Sequence, residues 1–249
     1  MAGSAFLVSL LDFARSFEGK PWGATPESIA AWLKLNWLLK RGGGSWNYDP
    51  AMSVLVLAFA GQITLDQAIE HCHKYWHPHA RLENEKVVRS FWKHATENSS
   101  KVYKRPALAA PVGRWKDRNI YIAVKAPLIR VTPHEMMAVM PIFRKRYVPD
   151  DVETNISLTA VREFCFREGY PNLDVELIRA KGLDGSLERQ LIVDRGSKRK
   201  LYSADEFDAM VTVYSKGVAL LAGDGYGLQK PNFKGYRIWD PDEPSFPGF

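Results

Sequence analysis

The chain has 249 residues, 46% of them apolar and 12% aromatic, with a net charge of +6 and a sequence pI near 9.2. That apolar share excludes disorder over most of the length, and the length suits one large domain or two ordinary ones. The two cysteines, Cys72 and Cys165, are too few and too far apart for a disulfide framework, and the apolar run Val54–Ala60 is far below the roughly 20 residues that cross a bilayer.

The first hundred residues carry helical spacing. The stretch from Ser4 to Phe17 places Phe6, Leu7, Leu10, Leu11 and Phe13 on one side, which predicts a helix. Its apolar part has no basic region before it, and Asp12, Arg15 and Glu18 follow, so it does not read as a signal peptide. The expected setting is cytoplasmic, with no membrane partner. Thr25 and Pro26 open a second helix that Gly42–Gly44 stop. A third is predicted from Asp49 to Gly61. A fourth opens at Thr64, whose capping box is completed by Gln67, and ends near Pro78; a fifth begins near Asn84. Five helices with short connections predict an all-α bundle over residues 1–98.

Residues 99–118 show no periodicity and read as a basic linker or crossing segment. Strand character follows around Ile120–Val124 and Leu128–Val131. Thr132–Pro133 then opens a predicted helix that Pro141 would kink, and another runs from Ser157 or Leu158 to Gly169. A strand is expected from Leu173, then a hairpin with Arg195–Lys198 at its tip, then a long helix opened by the capping box of Ser203 and Glu206. The fold expected overall is α+β: the bundle, then a smaller α+β domain over 119–222 with a winged-helix order of elements, and an extended aromatic and proline-rich tail over 223–249.

Charge is concentrated rather than spread. Nine basic residues between Lys86 and Arg118 face only Glu97 and Asp117, so this segment carries +7. Phe91, Trp92, Tyr103, Trp115 and Tyr121 interleave with them. Cations neutralise phosphates and aromatic faces stack on unpaired bases, so the pattern points to a nucleic-acid partner, DNA before RNA. The residues expected to make the contact are Lys93, Lys101, Lys104, Arg105, Arg114, Lys116 and Arg118, joined by Arg144, Lys145 and Arg146 and by Arg195, Lys198, Arg199 and Lys200.

Four of the six histidines lie within Glu70–His79. On one continuous helix Glu70, His73 and His77 would share a face and could hold zinc, which keeps a metal-dependent hydrolase or nuclease as an alternative. Against it, imidazoles also gather at helix C-termini for electrostatic reasons alone, and neither an HExxH nor a GxSxG motif is present. Asp174 and Glu176 form a carboxylate pair two residues apart, without the nearby lysine that nuclease chemistry requires. The reading is therefore a non-enzymatic nucleic-acid-binding protein with no cofactor. The other alternative is an assembly subunit, as in a phage particle, whose aromatic tail packs on neighbouring protein subunits.

Overall fold

The computed structural model describes residues 4–39, 47–145, 147–183 and 188–239, and the side chains of 37–39 are outside that description. The described chain is α+β, but its first half is not an all-α bundle. Strand β1 (Leu7–Ser9) interrupts the expected first helix, leaving α1 (Leu10–Arg15). Helices α2 (Pro26–Leu39), α3 (Asp49–Phe59), α4 (Leu65–His73) and α5 (Pro78–Glu97) follow. Strands β2 (Lys101–Lys104), β3 (Ala107–Trp115), β4 (Arg118–Val124), β5 (Leu128–Val131) and β6 (Met136–Ile142) come next. Then α6 (Asp151–Arg167), β7 (Leu173–Gly182), β8 (Arg189–Arg195), α7 (Ala204–Gly223) and β9 (Tyr236–Ile238) complete the order.

The strands form two sheets, β1-β4-β3-β9 and β2-β5-β6-β7-β8. In the first, β1 runs parallel to β4 and β9 parallel to β3, so both ends of the chain clamp the β3–β4 hairpin. In the second, β6 and β7 are parallel and joined through α6, while the other pairs are antiparallel.

This five-stranded sheet explains why the helices of the first half do not bundle. On one face Leu128, Met137, Val139, Ile178 and Ala180 pack under α3, α4 and α5. On the other, Ile129, Ala138, Met140, Ile142, Val175 and Leu177 join a core built with α1, α2, α6, α7 and the first sheet. Helix α1 packs on α6 and α2 on α7, while α3, α4 and α5 pack on one another and over one face of the sheet, because periodicity states which face is buried and not what covers it. Helices α2 and α7 meet closely at Gly217, where a Cβ would stand 2.6 Å from Ile29 Cγ2.

The predicted helix through Met136–Ile142 is strand β6. A strand buried on both faces reads as an unbroken apolar run and loses the alternation that marks a strand. Pro141 is tolerated because β5 pairs only as far as Val139, so that flank of β6 has no ladder at Pro141.

The winged-helix order also fails. Residues Arg195–Lys198 are not a hairpin tip: β7 and β8 join at the opposite end, between Gly182 and Arg189, and Gly196–Lys198 form a 3-10 turn leading to α7. The segment 99–118 supplies β2 and β3.

Three capping boxes start helices, at Thr64 with Gln67, Asp150 with Glu153, and Ser203 with Glu206. Replacing Ser203 by Ala removes a hydroxyl that accepts from the Glu206 N–H at 3.2 Å, and should cost about 1 kcal/mol, read as a lower urea midpoint at unchanged slope.

Candidate functional site

The exposed cations with the most constructed setting lie on the β3–β4 hairpin. Trp115 pairs with Arg118, leaving Lys116 and Asp117 as a two-residue turn, and Lys116 takes a left-handed backbone at φ 52°. Arg114, Lys116 and Arg118 are all exposed. Lys116 Nζ stands 4.5 Å above the Trp115 ring, and the Arg118 guanidinium lies 5.5 Å over Phe6 while donating to the Leu228 carbonyl at 2.8 Å.

Beside Arg118 opens a cavity of about 340 Å³ lined by Phe6, Asn119, Tyr121, Lys230, Pro231 and Phe233. Tyr121 and Phe233 meet edge to face, with ring centroids 5.1 Å apart. Asn119 Nδ2 donates to the Tyr121 hydroxyl at 3.3 Å and orients it. The site joins the hairpin to the chain's C-terminal segment. That segment is held by Ala5 N–H donating to the Gly227 carbonyl at 2.9 Å and Ser4 Oγ donating to the Gln229 carbonyl at 2.6 Å. Sequence reading included Arg114, Lys116, Arg118 and Tyr121 but missed Lys230 and Phe233, which are more than 100 residues away along the chain.

The other expected cations are dispersed. Lys101 and Lys104 are exposed on β2, the edge of the other sheet, and Lys101 Nζ lies 4.9 Å over Tyr103. Lys93 sits on α5, 3.8 Å from Glu97. Arg144 and Lys145 are exposed after β6, with Lys145 3.6 Å from Glu83, and Arg146 falls outside the described residues. Lys198 and Lys200 are exposed near α7.

Three arginines are instead paired with carboxylates of this chain. Arg105 is buried, paired with Glu168, with its other Nη 3.1 Å from the Cys165 thiol. Arg199 is paired with Asp194 and lies 3.0 Å from Asp151. Arg195 contacts Glu176 at 3.2 Å, as does buried Arg130 at 3.3 Å, while His94 Nε2 lies 3.0 Å from the other carboxylate oxygen. Burial pushes the Glu176 carboxyl up, but the His94 hydrogen bond and the charges of His94, Arg130 and Arg195 outweigh it and hold the group below the usual carboxylate range. Asp174, its expected companion, accepts the Ser197 N–H at 3.0 Å.

The histidine-rich stretch is divided between two helices. Helix α4 ends at His73, Lys74 caps it, and His77 is the N-cap of α5 ahead of Pro78. Glu70, His73 and His77 therefore do not share one helix face. Glu70 pairs with Lys74 at 2.8 Å, and His73 Nε2 lies 2.6 Å from Glu85. Among the described residues no group of three or more His, Cys, Asp or Glu could hold a metal ion.

No known protein family matches the chain, and comparison with curated proteins and solved structures finds no match either. Among the described residues no helix is long and apolar enough to cross a membrane.

Proposed function

We propose that the protein is a non-enzymatic nucleic-acid-binding protein, acting in the cytoplasm, that grips a single-stranded segment on the β3–β4 hairpin. The carrying observation is a cavity walled by Tyr121 and Phe233 whose lining includes the cations Arg118 and Lys230, with Arg114 and Lys116 exposed on the same hairpin. The cations supply phosphate contacts on one side of a stacking surface, the pairing used by proteins that bind single strands. A base entering the cavity would stack on Phe233 or Tyr121 while the guanidinium of Arg118 meets the adjoining phosphate.

Titration of labelled poly-dT and poly-rU oligonucleotides from 50 to 200 mM salt tests this. Three to four phosphate contacts on a single strand predict a loss of affinity of roughly 20- to 50-fold over that range. Binding that is absent or indifferent to salt would overturn the proposal. Phe233→Ala should weaken the single-strand complex by about 1–3 kcal/mol and leave duplex affinity nearly unchanged, because only an unpaired base can stack there.

The assembly-subunit alternative draws less support. As far as Trp239 the tail packs on this chain's own sheet, through β9 beside β3 and the Trp239 N–H donating to the Ala109 carbonyl at 3.0 Å. Residues 240–249 lie outside the described residues.

A further inference from the structure

A second cavity, larger than the hairpin site and lined by different residues, opens where the two sheets meet. It holds about 550 Å³, within the usual range for a small-molecule site. Three strands deliver their carboxyl ends to it: β1 at Ser9, β4 at Ala123 and β6 at Met140–Ile142.

The floor is apolar and firmly set, made by the buried side chains of Leu10, Leu11, Met140 and Ile142. The rim is polar. Lys125 and Arg144 are both exposed on it, with Lys125 Nζ 5.9 Å from the Tyr236 ring centre and the Arg144 guanidinium 5.9 Å from that of Tyr147, and among the described residues neither forms an ion pair with a carboxylate. Asp49, at the first turn of α3, accepts a hydrogen bond from the Asn47 amide, which fixes its carboxylate at the mouth. An adjoining cavity of about 260 Å³ shares Asp49, Lys125 and Tyr236 with the first and adds Lys234.

We infer that this cleft binds a nucleoside monophosphate. The flat base suits the apolar floor beneath Tyr236, the phosphate suits Lys125 and Arg144, and the ribose hydroxyls suit Asp49 and Asn47. A plain inorganic anion would leave the floor uncovered, and a purely apolar ligand would leave two cations unused. The site goes beyond the hairpin reading and does not depend on it.

Calorimetric titration of the full chain with AMP, GMP, CMP and UMP, with inorganic phosphate and the parent nucleosides as separate arms, tests it. The expected result is saturable one-to-one binding of at least one monophosphate, at least tenfold tighter than inorganic phosphate or the nucleoside. Lys125→Ala with Arg144→Ala, both exposed and so tolerable to the fold, should weaken it at least tenfold. The double variant's circular dichroism and melting should stay those of the parent chain. Four results would overturn the inference: no saturable binding, phosphate binding as tightly as the nucleotide, no effect of the double variant, or displacement of the nucleotide by poly-dT at the oligonucleotide's own binding concentration. The last would make the cleft part of the strand-binding surface instead.

Discussion

Reversing Arg114, Lys116 and Arg118 to Glu together is expected to weaken single-strand binding by about 100-fold or more near 0.1 M salt. Each phosphate contact on a single strand contributes roughly −0.7 to the slope of log affinity against log salt, so three contacts contribute about −2. Counterion release from three contacts is therefore about two decades of affinity at that salt, and like-charge repulsion deepens the loss. The slope itself should become shallower by about 2, which distinguishes lost phosphate contacts from a general loss of activity. All three side chains are exposed, so the melting temperature should fall only by what the lost Arg118 contacts to Leu228 and Phe6 contribute. Reversal of Lys101 and Lys104, on the edge strand of the other sheet, should weaken binding far less. Equal losses from both sets, or none from the hairpin set, would remove the hairpin from the interface.

The second large effect is on stability. Glu83 of α5 is 2% exposed and accepts from Arg189 Nη2 at 2.6 Å and Lys86 Nζ at 2.9 Å. Arg189 in turn donates to the carbonyls of Phe143 and Ala180, at 3.1 and 3.0 Å, and to the Tyr48 hydroxyl at 2.7 Å. One guanidinium thus ties α5 and the start of α3 to β6, β7 and β8. Glu83→Ala leaves that cation buried without its counter-ion and should cost about 3–5 kcal/mol in chemical denaturation. Replacing both Glu83 and Arg189 by Met should cost less than Glu83→Ala, since the buried guanidinium is gone and the cations that lose Glu83, Lys86 and Lys145, reach solvent. A double variant worse than Glu83→Ala would show that the hydrogen bonds to Phe143 and Ala180 matter more than the charge pair.

The same pair sets an acid limit. Burial pushes the Glu83 carboxyl up, yet the bonds and charges of Lys86 and Arg189 dominate and lower it from 4.5 to about 2. A carboxyl depressed in the folded state contributes stability that is fully present above its unfolded value and is lost as pH falls through the folded one. Denaturation free energy should therefore decline between about pH 4.5 and 2, by on the order of 3 kcal/mol from this group. In Glu83→Gln that part of the decline should vanish.

Much of the local structure was legible from residue order. The capping boxes at Thr64 and Ser203 join residues three apart, so chain and space agree there. The strands around Ile120–Val124 and Leu128–Val131, and the long helix after Ser203, carried their own periodicity. The helix expected from Ser157 or Leu158 instead opens at Asp151, behind a box of Asp150 and Glu153 with the same spacing. The candidate site was half legible. Its hairpin cations and Tyr121 stand in the basic run, whereas Phe233 and Lys230 reach it only because the C-terminal segment returns to lie along the first sheet.

The amino-acid order by itself determined the starts of α2, α3, α4 and α7, where charge gathers and which stretches must be buried, because those properties depend on neighbours a few residues apart. Only the tertiary structure decided what buries them. It turned an apparent helix into central strand β6, set α1 on α6 and α2 on α7, laid the α3–α5 group over the five-stranded sheet, and split His73 from His77 at a turn. It also sorted one basic run into Arg105, buried on Glu168 from 63 residues away, and Arg114, Lys116 and Arg118, which reach solvent. A cation's role depends on whether a carboxylate meets it on burial, and that partner is set by the path of the whole chain.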